Sequence, residues 1–305
     1  MQAERVSGLP PVLAIEAARV ADEVDALFDR FLALPGDRRD RLYEAMRHAA
    51  IGGGKRMRPL LTVAASQLFA IDRERALRVG TAIEAIHVYS LIHDDLPCMD
   101  DDDLRRGKPT THKAFDECTA VLAGDCLHDV AFSILADPAT HERPSVRVEL
   151  IAELARASGP SGMAGGQMMD LVAESEGPLD MAGITRLQQL KTGALIEYSV
   201  EAACIMAKLP DEARTPYRGY ARNVGLAFQI ADDLIDHSGD EKLAGKRVGK
   251  DADAGKATFV SLMGEAAARE QARMLVAQAI EHLAKHGEEA DLLRAIASYA
   301  VERNH

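Results

Sequence analysis

The chain has 305 residues, 47% of them hydrophobic and 28% charged, with a net charge of −12. That length suits one large domain or two modest ones, and that mix excludes a disordered polypeptide. The acidic balance argues against nucleic acid as the main partner, since a phosphate backbone rewards basic surfaces, but leaves small phosphorylated ligands open because divalent metal can bridge carboxylate to phosphate.

In chain order, MQAERVSGLPPV has no basic start followed by an apolar block, so no secretory signal is expected. Val20, Val24, Leu27, Phe28 and Phe31 then fall at helical spacing and predict an amphipathic helix. Pro35-Gly36 breaks it, and a second break, Gly52 to Gly54, opens GGGKRMRP, where glycines suit close backbone approach to a ligand. TAIEAIHVYSLIHDDL predicts an apolar helix carrying His87 and Asp94 on one face, two turns apart. Pro97 disfavours helix at the residue before it, so the chain must loosen there if Asp94 and Asp100 are to serve one metal group. Six aspartates lie between Asp94 and Asp103, with Arg105 and Arg106 directly after. The spacing does not fit a calcium loop, which needs a central glycine and a terminal glutamate.

Further on, GGQMMD places Gln167 and Asp170 three apart, and Lys191-Thr192 reads by itself as an exposed helical pair. In FQIADDLIDHSGD, Asp232 and Asp236 share a helix face one turn apart within an apolar run, with Gln229 on the same side. Like charges at that spacing need compensation; bound Mg²⁺ or a plain surface position at the helix end would each supply it. Residues 269–284 predict a last amphipathic helix. The four cysteines form no CxxC pair and read as reduced thiols. No apolar stretch of roughly 18 residues is evident, so no membrane span is expected. Helical spacing almost throughout, short scattered breaks and no linker predict one all-α domain over residues 1–305.

Taken in order, GGGKRMRP, LIHDDLPCMDDDDLRRGKPT, GGQMMDL, KTGALI, GLAFQIADDLID and AGKRVGKD with the later GKAT resemble the trans-isoprenyl diphosphate synthases, and within them the bacterial farnesyl diphosphate synthases. The resemblance implies a helical bundle around a central cavity with the two aspartate motifs at its mouth. It also implies condensation of isopentenyl diphosphate with dimethylallyl or geranyl diphosphate, in which the departing diphosphate is the usual acceptor of the final proton.

Carried over residue by residue, the resemblance assigns Mg²⁺ to Asp94, Asp95, Asp100, Asp232, Asp233 and Asp236, about three ions per site, with Mn²⁺ as a substitute. Allylic diphosphate falls to Arg105, Lys191, Thr192, Gln229, Lys246 and Lys256, and isopentenyl diphosphate to Gly54, Lys55, Arg58, His87 and Arg106. The catalytic set is Asp94, Asp95, Asp100, Arg105, Lys191 and Asp232. Tyr89-Ser90 before the first motif, with Pro97-Cys98 inserted in it, marks a C15 stop in bacterial relatives; the inserted form also occurs in C20 synthases, so C20 and C10 products stay open. The resemblance implies a cytoplasmic homodimer that takes prenyl diphosphates as substrates and holds no stable membrane contact. Relatives commonly end in a basic residue after Arg-Asn, whereas this chain ends Arg303-Asn304-His305. Two rivals remain: a terpene cyclase, whose second motif is typically Asn/Ser/Glu, and a non-catalytic partner subunit, which tends to lose motif residues.

Overall fold

The structure, a computed structural model, describes residues 10–177, 179–238 and 258–302. The all-α expectation holds: among these residues the only strands are a two-residue pair. The helices are α1 (Pro11–Phe31), α2 (Asp40–Ala50), α3 (Met57–Gln67) and α4 (Arg73–Asp94), followed by strands β1 (Leu104–Arg105) and β2 (Lys108–Pro109). Then come α5 (Thr111–Ala114), α6 (Glu117–Ala136), α7 (Pro144–Ser158), α8 (Met163–Glu176) and α9 (Met181–Gln188). A π-helical turn, Gln189–Gly193, leads into α10 (Ala194–Met206), α11 (Thr215–Ser238), α12 (Phe259–Met263), α13 (Glu265–His282) and α14 (Asp291–Glu302). The described residues fall into two compact units, one built from Ala14–Val63 and Ile71–Ile151, the other mainly from residue 152 onward together with Ala64–Ala70.

In the first unit, α4 is buried on all sides from Ala76 to Ile86, as befits a central helix, although Arg78 and Glu84 are among those buried residues. The Asp72 side chain caps it by accepting from the Arg75 amide at 3.1 Å. Beside it lies α6, whose Asp116 cap accepts from the Thr119 amide at 2.7 Å. Arg41 and these cap bonds hold the Asp116 carboxyl down to about 2. Gly124 of α6 faces the His93 ring so closely that a Cβ there would overlap the imidazole, which sets how tightly the two helices pack. The α1 stripe is buried at Val20, Val24 and Phe28. Helix α6 corrects one expectation: Glu117–Ala136 is long and apolar enough by length and composition to cross a membrane. Only a few of its side chains are charged, yet it lies against α4 as a packed helix.

In the second unit, α11 packs on α13 and α14, and the Tyr220 hydroxyl donates to the Leu293 carbonyl at 2.7 Å. Helix α10 is buried along nearly its whole length. Helix α8 meets the π turn, and a Cβ on Gly166 would strike the backbone of Leu190 and Lys191. Only glycine allows that approach.

Candidate functional site

In the first unit, β1 and β2 pair antiparallel with Arg105 opposite Lys108, and Arg106-Gly107 forms the two-residue turn between them. Both turn residues have positive φ, 54° and 73°, as a primed hairpin turn demands. An arginine in that region costs roughly 1–2 kcal/mol. The conformation carries its guanidinium over the glycine loop: a Cβ on Gly54, itself at φ +75°, would sit 2.5–2.7 Å from Nη1, Cζ and Nη2 of Arg106. Lys108 Nζ reaches the same loop at Gly52.

His87 on α4 stands among these cations. Burial pushes its pKa well below the ordinary range, and the charges of Arg58, Arg106, Arg56 and Arg105 push the same way, so the ring is neutral at neutral pH. Burial also lowers the pKa of Arg58 and Arg106, and the carboxylate of Glu84 opposes that in both. Gly54, Arg58, His87 and Arg106 are therefore neighbours, as the sequence reading grouped them. Lys55 is exposed. Concentrated positive charge over a loop of backbone amides is chemistry for a phosphate group.

The first aspartate motif adjoins this patch. Helix α4 ends at Asp94, and a turn through Pro97 returns the chain so that the Asp100 amide donates to the Asp94 carbonyl at 2.8 Å. Asp95 is buried and receives Arg105 Nε on both oxygens, at 2.8 and 2.9 Å, with Nη2 at 2.6 Å. Burial raises the Asp95 pKa against that pairing, and Asp102 and Asp100 add to the rise. A cavity of about 60 Å³ joins Gly52 and Gly53 to Asp95, Arg105, Arg106 and Lys108. Asp101 and Asp103 are exposed, and Lys113 Nζ meets Asp103 at 2.9 Å.

One turn earlier on α4, Tyr89 makes edge contacts with the rings of His93 and His128, at 5.7 and 5.3 Å between centroids. With Asp125 and Asp129 these residues line a cavity of about 330 Å³. The surroundings of Tyr89 are thus more polar than a hydrocarbon floor would suggest. The Ser90 hydroxyl donates to the His87 carbonyl at 2.9 Å.

In the second unit, Lys191 and Thr192 sit on the π turn, a distortion that recurs at functional sites. Lys191 Nζ meets Asp170 of α8 at 2.5 Å. The pairing replaces the exposed-pair reading of Lys191. Gln229 Nε2 donates to Gln188 Oε1 at 2.5 Å. Asp232 is exposed on α11, while Asp233 accepts from the Phe259 amide at 2.8 Å and so anchors the start of α12. Lys246, Lys256, Arg303, Asn304 and His305 lie outside the described residues.

Among the described residues, no three His, Cys, Asp or Glu side chains converge as a ready-made metal cage. The donors nevertheless suit Mg²⁺, a hard cation that keeps waters and substrate phosphates and needs only one or two carboxylates from the protein. Sequence reasoning missed Asp25, Glu84 and Lys108, and it gave Arg56 no role; Asp25 and Lys108 bear on the glycine loop from elsewhere in the chain.

The sequence matches the family described as Polyprenyl synthetase over residues 39–299. It is 42% identical over 290 residues to a farnesyl diphosphate synthase of Escherichia coli (strain K12), covering 92% of this chain and 96% of that protein. It is 41% identical over 291 residues to a chloroplastic geranylgeranyl pyrophosphate synthase of Arabidopsis thaliana, covering 94% and 81% respectively. A solved structure of an FPP/GFPP synthase from Zymomonas mobilis aligns with a TM-score of 0.87 at 57% identity, covering 95% of this chain and 98% of that one.

Proposed function

The chain belongs to the polyprenyl synthetase family and is a prenyltransferase, and from that premise we propose that it joins isopentenyl diphosphate head-to-tail to dimethylallyl and then geranyl diphosphate, yielding farnesyl diphosphate. The observation that carries this reading is the set of guanidiniums around His87 and the glycine loop, one small cavity away from the Asp95–Arg105 pair. Two diphosphate-binding chemistries adjoin there: direct cation contact, and carboxylates beside an arginine.

In this reading, Gly54, Lys55, Arg58, His87 and Arg106 grip isopentenyl diphosphate. His87 binds as a neutral imidazole that donates a hydrogen bond and adds no charge. Arg105, Lys191, Thr192 and Gln229 hold the allylic diphosphate. Asp94, Asp95, Asp100, Asp232, Asp233 and Asp236 hold Mg²⁺, which when bound supplies positive charge where the leaving diphosphate develops negative charge. The allylic C–O bond breaks with its electron pair going to diphosphate, and the π electrons of isopentenyl diphosphate form the new C–C bond. A proton then leaves the adduct, and the released diphosphate takes it. Apolar helix walls keep water from the allylic cation.

The same reading takes residues 1–305 as one synthase domain in a cytoplasmic homodimer without stable membrane contact. The exposed Val121 and Leu122 on the apolar helix α6 support association with a second copy. A C20 product is the second reading, favoured by the near-equal identity to a geranylgeranyl relative. The test is a Mg²⁺-dependent assay with isopentenyl and dimethylallyl diphosphates, with products sized by chromatography. Dominant C15 supports the proposal, C20 or C10 keeps the chemistry and moves the stop, and no condensation by the purified chain overturns it in favour of a partner subunit.

A further inference from the structure

The glycine loop is held from beneath by a buried ionic assembly. Arg56 is 1% exposed and has positive φ. Its Nη1 donates to Glu84 at 2.9 Å, its Nη2 donates to Asp25 at 2.7 Å, and Nη2 also bonds the Ala50 carbonyl just before the loop. The second oxygen of Asp25 accepts from the Gly52 amide at 3.2 Å. Two side chains thus brace the loop: Asp25 accepts from the Gly52 amide, and the Arg56 side chain, two residues past Gly54, reaches back to the Ala50 carbonyl two residues before Gly52. Glu84, 2% exposed, lies three residues before His87 on α4, one turn away on the same face. It is the shared buried anion facing Arg56, Arg58 and Arg106. A buried arginine with two carboxylates is an expensive arrangement unless all its partners are present, and none of the three residues has a place in the binding set above.

We propose that Asp25, Arg56 and Glu84 are positioning residues for the isopentenyl diphosphate site: Asp25 and Arg56 fix the turn of Gly52–Gly54 beneath the Arg106 guanidinium, and Glu84 is the counter-charge that lets three guanidiniums stand together before the substrate arrives. The inference rests on the function proposed above and adds the supports that shape one of its two substrate sites. It separates the substrates, because the hydrogen bonds of Asp25 and Arg56 run to Glu84, the Ala50 carbonyl, the Gly52 amide and each other, and Glu84 faces Arg58 and Arg106, all on the isopentenyl diphosphate side.

The experiment measures kcat and both KM values for the full-length wild type, Asp25→Ala, Asp25→Asn and Glu84→Gln, with direct titration of isopentenyl diphosphate by calorimetry. Asp25→Ala is expected to raise the isopentenyl diphosphate KM and Kd about tenfold, the loss of one charge-assisted contact, with kcat and the allylic KM within about twofold. Asp25→Asn, which keeps an oxygen for the Gly52 amide, recovers part of that loss, and Glu84→Gln reproduces the one-sided pattern. Removing a partner of buried Arg56 lowers the melting temperature under either account, so the kinetic pattern decides: both KM values shifted alike, or both unchanged, overturns the inference. If the wild type itself fails to condense the two substrates, the function proposed above falls first; if it is active and Asp25→Ala keeps a normal isopentenyl KM and Kd, only this inference falls.

Discussion

Replacing Gly54 by alanine tests the geometry of the glycine loop at its tightest point. Two costs arise, and they separate. The backbone sits at φ +75°, which disfavours an L residue by roughly 1–2 kcal/mol. The new Cβ would also sit 2.5–2.7 Å from the Arg106 guanidinium. That group is the far end of a flexible side chain, so it can swing away at little further cost to folding. What is lost is its place over the loop. A hydrogen bond to a charged group contributes roughly 1.5–3 kcal/mol, so the isopentenyl diphosphate KM should rise about 10- to 150-fold while the allylic KM holds. Gly36→Ala provides the control, since Gly36 has φ +79° and nothing within 4 Å of its notional Cβ. Both variants should lose similar stability in chemical denaturation, and only Gly54→Ala should lose isopentenyl affinity. Equal stability losses with an unchanged KM in Gly54→Ala would refute the assignment of Arg106 to that substrate.

Tyr89→Ala removes the ring that meets His93 and His128 and should shift products from C15 toward C20 on chromatography; unchanged C15 output removes Tyr89 as the stop. Because burial and four arginines depress the His87 pKa, native His87 stays neutral while the unfolded chain gains a proton below roughly pH 6.5. Its contribution to stability therefore declines as pH falls below that value, by at most about 1.4 kcal/mol per pH unit, until the native pKa is reached. Denaturation of His87→Gln between pH 7 and 5 should show a shallower loss than wild type, and parallel curves would contradict a neutral, cation-ringed imidazole. Chelation with EDTA should abolish condensation and added Mg²⁺ restore it without any change in circular dichroism; activity that survives exhaustive chelation would exclude the carboxylates as metal ligands.

How much could be read in advance follows from the range of each interaction. Periodicity reports burial one helix at a time, so α1, α4 and α13 were legible. So was the end of α4 near Pro97, because proline acts on its immediate neighbour. The shared face of Asp232 and Asp236 on α11 needed nothing beyond 3.6 residues per turn. The order of the motifs along the chain marked the family and its diphosphate chemistry. The hairpin at Arg106-Gly107 was not legible, since its strands are two residues long and leave no alternation to detect.

Sequence by itself therefore determined the helical class, the family and which residues carry charge or carboxylate oxygen. Tertiary structure decided how those charges are held. Arg56 meets Glu84 and Asp25 across separations of 28 and 31 residues. Lys191 meets Asp170 from a π turn that no local pattern announces. The physical reason is that a buried charge settles by desolvation against whichever partner packing brings within about 3 Å, and packing is a property of the assembled helices rather than of any one segment.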